Sequence, residues 1–211
     1  MSFADRAEAG RVLASKLSNY KGHADALILA LPRGGIPVAF EVAAALGLPV
    51  DVFVVRKLGV PGQEELAMGA IATGDVQVIN YGVVQELRIG PATIEAVAQK
   101  EREELQRRER LYRGERSPQI IQGKTIILID DGIATGSTMR AAIAALRQIG
   151  PTNIIVAAPV AAADTCRELS AEADEVICAE TPETFFAISQ FYRKFDQTTD
   201  EEVRDLLARA A

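Results

Sequence analysis

The sequence has no tryptophan, one histidine and only two cysteines among its 211 residues. His23 lies in a polar turn and receives no catalytic role, so a multi-histidine metal site is excluded and a serine-protease triad is not expected. Cys166 and Cys178 show neither CxxC nor metal-site spacing. We expect them to be ordinary thiols of a protein in a reducing cytosol.

The sequence also lacks an excess of basic residues and any long apolar run. The formal net charge of −6 argues against a general nucleic-acid or membrane binder. No apolar run approaches membrane-spanning length, and the first residues carry no apolar signal segment, so we expect a cytoplasmic location. The hydrophobic share of 48% supplies a core for a single domain over residues 1–211, with no Pro-, Gly- or Ser-rich linker to divide it.

The most informative stretch runs from Ile126 to Thr138. Four apolar residues, Ile126–Ile129, predict a strand buried on both faces, and Asp130 and Asp131 follow where that strand leaves the sheet. A Gly- and Thr-rich turn then leads into a helix near Ser137. Such a turn suits a phosphate, and two adjacent carboxylates are costly unless they meet hydroxyls, a cation or both. The pattern therefore favours a phosphorylated sugar carried with a divalent metal; it is neither a Walker A loop nor G-x-G-x-x-G.

Two further strand ends carry candidate anion-binding groups. The strand at 26–31 ends in Pro32-Arg33-Gly34-Gly35, and a predicted strand at 49–55 ends in Arg56 and Lys57. Alternatively, the glycines only supply a tight turn and the two cations are a solvated pair. Three cations at strand ends of an acidic protein nevertheless indicate an electropositive place for a leaving pyrophosphate.

The other segments complete an α/β pattern. Alternating strands and helices predict a mostly parallel central sheet flanked by helices, interrupted at 63–123 by a β-hairpin with a Gly74-Asp75 turn and a long helix over 91–112. This insertion is interpreted as a lid, a homodimer arm or both, and residues 181–211 as a C-terminal hood. The aromatic residues of 185–195 favour core filling over a platform for a base.

The stretch from Ile126 to Thr138 resembles the phosphoribosyl-pyrophosphate (PRPP) signature of the type I phosphoribosyltransferases, and Arg33, Gly34 and Gly35 resemble the pyrophosphate loop of purine-specific members. The resemblance covers roughly residues 26–56 and 124–178. It implies Mg²⁺-dependent transfer from PRPP to a small nitrogenous acceptor. The residues that it implies fall into three groups: the 5′-phosphate site Ala134, Thr135, Gly136, Ser137 and Thr138; the pyrophosphate site Arg33, Gly34, Gly35, Arg56 and Lys57; and Asp130 and Asp131 for ribose and, mainly indirectly, the metal.

In the resembled family, catalysis would fall to Arg33, Lys57, Asp130 and Asp131. An aromatic residue after the last core strand stacks on the base there, which suggests Phe185 or Phe186. Members that act on 6-oxopurines carry an acid where this chain has Ala134, so the acceptor is expected to differ. Two other functions stay open at this point: a PRPP-binding regulatory protein without turnover, and an enzyme acting on another phosphorylated ribose.

Overall fold

The computed structural model describes residues 2–210, which form eight strands and seven α-helices. The strands are β1 (Ala26–Ala30), β2 (Val50–Val52), β3 (Val55–Val60), β4 (Gln63–Ala72), β5 (Val76–Ile79), β6 (Thr125–Ile129), β7 (Asn153–Val160) and β8 (Glu175–Glu180). The helices are α1 (Arg6–Lys16), α2 (Gly35–Leu46), α3 (Tyr81–Glu86), α4 (Pro91–Arg113), α5 (Ser137–Ile149), α6 (Ala163–Leu169) and α7 (Asp200–Arg209).

Five parallel strands form the central sheet in the order β2-β1-β6-β7-β8. The predicted α/β class with a mostly parallel sheet is therefore confirmed. β1 and β6 are neighbours, with Ala30 opposite Ile129, so their carboxyl ends lie side by side. Every residue of these two strands is buried, which explains their continuous apolar sequences.

Helices cover both faces of this sheet. Ile127 and Ile129 point into a core shared with α1, α2, α4 and α7, whereas Ile126 and Leu128 point into a second core against α5 and α6. Alternation along one strand thus feeds both cores, since neighbouring strand residues face opposite sides. Asp5 accepts a hydrogen bond from the Glu8 amide at 2.8 Å and caps α1.

The prediction of a single strand over residues 49–55 is wrong. The chain pairs with β1 only as far as Val52 and then enters an antiparallel sheet of order β3-β4-β5 that begins at Val55. Phe53 and Val54, between the two sheets, are themselves buried, so the apolar run continues through them. The sequence therefore gives no signal of the point where the chain changes sheets. The hairpin is confirmed: Gly74 and Asp75 both have positive φ in its turn.

The segment before α1 and the segment after β8 meet beside β7. Phe3 pairs with Tyr192 in an isolated bridge, and these residues form a third core with Phe191. The core-filling interpretation of the aromatic segment holds for Phe191 and Tyr192, which are buried next to the short 3-10 turn Ile188–Phe191.

The two cysteines are free and partly buried, with Sγ atoms 2.7 Å apart. Twelve residues separate them in sequence, so their proximity depends on how α6 packs on β8. None of the helices between residues 2 and 210 combines the length and the apolar character needed to cross a bilayer.

Candidate active site

The carboxyl ends of β1 and β6 bring the loop Pro32–Gly35 against Asp130 and Asp131. A β-carbon on Gly35 would lie 2.8 Å from the carbonyl oxygen of Ile129 and 3.1 Å from the Cα of Asp130. Glycine is therefore required at position 35 for the two loops to touch. This edge is where open α/β sheets place their ligands.

The loop after β6 forms a cup of about 180 Å³ lined by Asp130, residues 132–139 and Ile188. Six consecutive main-chain N–H groups, from Ala134 to Met139, donate no hydrogen bond to any group in the part of the chain that the structure describes. The hydroxyls of Thr135 and Ser137 lie 3.2 Å apart at the same loop. An array of free N–H donors at the first turn of α5 is suited to an oxyanion, which also meets the positive end of the helix dipole.

Two contacts fix the carbonyl groups of this loop. The Thr165 hydroxyl donates to the carbonyl oxygen of Ala134 at 2.6 Å, and Arg140 donates to that of Thr135 at 2.7 Å. Gly136 has φ of +72°, and a β-carbon there would lie 2.7 Å from Thr165 Cγ2. The turn therefore requires glycine both for its backbone conformation and for its close approach to α6.

Asp130 is the carboxylate that faces the cup. Burial raises the pKa of Asp130 well above its ordinary value, and the neighbouring charge of Asp131 raises it further. Its Oδ1 atom accepts one hydrogen bond, from the amide of Asp131 at 2.8 Å. An ionised Asp130 is thus costly in the free protein, and ligand hydroxyls or a cation would relieve that cost.

Asp131 does not line the cup; it is 7% exposed and its side chain meets Arg6. Arg6 Nε donates to Asp131 Oδ2 at 2.8 Å, and a β-carbon on Gly34 would lie 2.1 Å from the same oxygen. Tyr192 donates its hydroxyl to the Asp131 carbonyl oxygen at 2.6 Å. The two adjacent carboxylates therefore have different environments: Asp130 faces the cup, and Asp131 faces the guanidinium of Arg6.

Arg33 stands at the edge of the same site, after a cis peptide bond that joins it to Pro32. Its guanidinium lies 3.8 Å from Asp200 at the start of α7, with about a third of the side chain exposed. Asp200 also accepts a hydrogen bond from Tyr112 at 2.8 Å. Burial, followed by that hydrogen bond, raises the pKa of Tyr112 to about 12.

Arg56 and Lys57 are not at the end of a central strand, as the sequence suggested, but lie within β3 of the smaller sheet. Arg56 donates to Glu101 at 2.8 Å, and Lys57 to the exposed Glu65 at 3.2 Å. They line a separate cavity of about 490 Å³, which shares no lining residue with the cup. Their expected positions were wrong; their role in pyrophosphate binding stays a prediction.

The aromatic candidates differ in exposure. Phe186 is 86% exposed, whereas Phe185 is partly buried with its ring 5.2 Å from that of Phe191. Neither residue lines the cup, but Ile188 from the same segment does, and a β-carbon on Gly132 would lie 2.5 Å from it. Base stacking by Phe185 or Phe186 stays a prediction.

Mg²⁺ binding at this site depends on the donor atoms that the chain supplies. Residues 2–210 contain no group of three or more His, Cys, Asp or Glu side chains placed to hold a metal ion by themselves. The carboxylate oxygens of Asp130 nevertheless suit Mg²⁺, which is commonly held by one or two carboxylates together with substrate phosphates and water. The residues fit an ion that arrives with a phosphorylated ligand.

A family model described as "Phosphoribosyl transferase domain" matches residues 4–196, which include the cup, the aspartates and the loop Pro32–Gly35. The chain belongs to the phosphoribosyl transferase family. Two curated relatives from Mycobacterium tuberculosis, of strains CDC 1551 / Oshkosh and ATCC 25618 / H37Rv, are named "Putative phosphoribosyl transferase" MT0597 and Rv0571c. Each is 47% identical over 208 residues, which are 99% of this chain and 47% of the relative. The chain thus spans about half the length of the curated relatives it matches.

The fold has a close solved counterpart in TT1426 from Thermus thermophilus. The two chains are 38% identical, each is covered over 100% of its length, and the TM-score is 0.88. A hypothetical protein from Neisseria gonorrhoeae, solved with bound ppGpp, is 14% identical with a TM-score of 0.50 over 100% of this chain and 96% of its own. At that identity the second likeness concerns the fold alone.

Sequence reasoning missed the residues that hold the candidate site of this phosphoribosyl transferase family member from outside the site's own loops. Arg6 is 125 positions from Asp131, and Thr165 is 31 positions from Ala134. Arg6 stands next to Asp5 and close to Glu8 at the start of a helix, so no local signal distinguished it. Thr165 likewise reads as one polar residue of a short helix.

Proposed function

We propose that this protein transfers a phosphoribosyl group from PRPP to a nitrogenous acceptor, with release of pyrophosphate, in a Mg²⁺-dependent reaction. The observation that carries the proposal is the cup, in which six free N–H donors adjoin a carboxylate that is costly to ionise. Membership in the phosphoribosyl transferase family supports the reaction class. The proposal assigns the 5′-phosphate to these amides and the ribose hydroxyls to Asp130.

Each part of PRPP has a partner in this proposal. The amides of residues 134–139 hold the 5′-phosphate, and Thr135 and Ser137 add hydroxyl donors. Asp130 accepts hydrogen bonds from the ribose hydroxyls. These bonds stabilise the charge of a carboxylate that is buried and therefore poorly solvated in the free protein. Asp131 supports that arrangement from behind, because its own carboxylate meets Arg6.

The pyrophosphate falls to the loop Pro32–Gly35 in this arrangement. Arg33 is held only loosely at 3.8 Å from Asp200 and has the exposure needed to turn toward an anion. Its charge would offset the charge that collects on pyrophosphate as the bond to C1 breaks. Bound Mg²⁺ would supply further neutralisation of the pyrophosphate oxygens. Arg56 and Lys57 can contact the pyrophosphate only if the smaller sheet moves toward the cup. Because β4 and β5 of that sheet belong to the insertion 63–123, we assign the insertion the role of a lid.

Ala134 narrows the acceptor class. Its methyl group lines the cup and offers no proton acceptor to a base, which disfavours a 6-oxopurine under the resemblance described above. Phe186, exposed on the segment that also supplies Ile188 to the cup, is our candidate for stacking on the acceptor.

Pyrophosphate release from PRPP in Mg²⁺, measured against a panel of nucleobases and small amines, tests the proposal. We expect release that depends on one acceptor and disappears in Gly136→Val, since a larger side chain there meets Thr165 and requires a strained φ. Gly90→Ala is the matched control, because position 90 has φ of −74° and open space around it. Tight PRPP binding without release for any acceptor would favour a regulatory protein instead.

A further inference from the structure

Arg6 is fixed at three points although it does not line the cup. Its Nε donates to Asp131, its Nη1 donates to the Asp196 carbonyl oxygen at 2.7 Å, and its guanidinium lies 3.9 Å from the centre of the Phe195 ring. The Arg6 side chain is only 12% exposed. A charge this well enclosed and paired has one geometry, unlike the flexible ion pairs of a protein surface.

The partner of Arg6 touches both ligand loops. Asp131 Oδ2 lies 2.1 Å from the position that a β-carbon of Gly34 would take, and the Asp131 amide donates to Asp130 Oδ1. Asp131 therefore links the two loops, because its carboxylate packs against Gly34 and its amide holds Asp130.

The N-terminal and C-terminal segments hold Arg6 in this position together. The Phe3 amide donates to the Phe191 carbonyl oxygen at 2.8 Å, and the Arg193 amide donates to that of Phe3 at 2.8 Å. The ring of Tyr192, whose hydroxyl reaches Asp131, packs 4.9 Å from the ring of Phe195. Residues from both segments, Arg6 and Tyr192, thus contact the same residue, Asp131, beside the site.

We propose that Arg6 is a positioning residue for PRPP: it holds Asp131 against Gly34 and so sets the spacing between the pyrophosphate loop and Asp130. This role rests on the proposed function. Arg6 does not line the cup, and the proposal assigns it no direct contact with the substrate. The consequence is specific to PRPP, because its pyrophosphate and ribose are bound by different loops, whereas the acceptor does not depend on their spacing.

The test uses the whole chain with Arg6→Met, which keeps the length of the side chain but removes its charge. Arg11→Met is the matched control: Arg11 is on the same helix and forms an exposed ion pair with Glu41 at 3.4 Å. Arg6→Lys restores the charge but offers one group in place of a fork that reaches both Asp131 and Asp196. KM for PRPP, KM for the acceptor and kcat are measured for each variant.

A second readout needs neither substrate nor turnover. The Gly35 amide donates to the Leu31 carbonyl oxygen at 3.1 Å and the Ile36 amide to that of Arg33 at 3.2 Å, so hydrogen exchange at these amides reports the order of the loop. We expect faster exchange at both in Arg6→Met and wild-type exchange in Arg11→Met.

We expect Arg6→Met to raise KM for PRPP roughly tenfold or more, the scale seen when a group that orients a ligand-binding side chain is lost. kcat and KM for the acceptor stay near wild type, Arg6→Lys is intermediate, and Arg11→Met matches wild type. Unchanged KM and unchanged exchange in Arg6→Met, or a loss confined to kcat, would overturn the positioning role.

If Arg6→Met does not fold, the double variant with Asp131→Asn carries the test, because it removes both members of the buried pair. Wild-type exchange at Gly35 and Ile36 in that double variant would overturn the role. A wild-type protein that neither binds nor consumes PRPP refutes the proposed function instead, and the exchange comparison then decides the positioning role alone.

Discussion

Gly34 and Asp131 are in direct contact: a β-carbon on Gly34 would lie 2.1 Å from Asp131 Oδ2. Gly34 has φ of −60°, so its backbone conformation is open to any residue. The requirement for glycine is thus the close approach of a carboxylate alone.

Gly34→Ala should therefore displace Asp131 and destabilise the fold by about 1–3 kcal/mol, the cost of forcing extra atoms into a packed site. Thermal unfolding in the absence of ligand measures this. Gly90→Ala, at a position with open space, should melt within a few degrees of wild type. Equal melting temperatures for Gly34→Ala and wild type would show that Asp131 moves aside without cost.

The two aspartates should respond oppositely to the loss of their charge. Asp130→Asn removes a carboxylate that burial and Asp131 make costly to ionise, so we expect unchanged or raised stability near neutral pH. Asp131→Asn leaves Arg6 enclosed without its counter-ion, so we expect a loss of about 3 kcal/mol. Denaturant unfolding of the two single variants measures both; a loss of the same size in both would contradict the division of roles.

The stability gained by Asp130→Asn should depend on pH. The pKa of Asp130 in the folded protein is raised above its ordinary value of 3.8, so the wild-type fold loses stability as pH rises from that value through the raised pKa. Asparagine does not titrate, so the advantage of Asp130→Asn is near zero at low pH, grows across that window and is constant above it. Unfolding measured in EDTA from acid to neutral pH tests this, and a difference that is independent of pH would refute it.

Thr165 should matter to the cup although it belongs to another helix. Thr165→Val removes the hydroxyl that holds the Ala134 carbonyl oxygen, and we expect ribose 5-phosphate and PRPP to bind about tenfold more weakly, or about 1.4 kcal/mol. Thr152→Val is the control, because the Thr152 hydroxyl also donates to a carbonyl oxygen, that of Gly123 at 2.8 Å, away from the cup. Calorimetry showing an equal effect of both substitutions would remove Thr165 from the account.

The sequence was sufficient wherever the relevant contacts are local. The buried strand Thr125–Ile129, the turn at Gly136 and the helix from Ser137 follow each other within a few residues, so composition and periodicity predicted them.

Long-range relations were not predictable in this way. The apolar run at 49–55 continues through a change of sheet, because both sheets bury the same kinds of side chain. Arg6 meets Asp131 and Arg33 approaches Asp200 only because the two ends of the described chain fold back on the sheet. The sequence does not distinguish Asp130 from Asp131. Their different environments depend on Arg6, which contacts Asp131 from a distant part of the chain.

The most direct test of the central claim is calorimetric titration of PRPP into the wild-type protein, in Mg²⁺ and in EDTA, with ribose 5-phosphate as the comparison ligand. PRPP should bind in Mg²⁺ and bind at least tenfold more weakly in EDTA, since the pyrophosphate and an ionised Asp130 repel when the cation is removed. In Mg²⁺ it should also bind more tightly than ribose 5-phosphate. Equal PRPP affinity in EDTA and Mg²⁺, or tighter binding of ribose 5-phosphate, would contradict a Mg²⁺-dependent PRPP site at Asp130 and the cup.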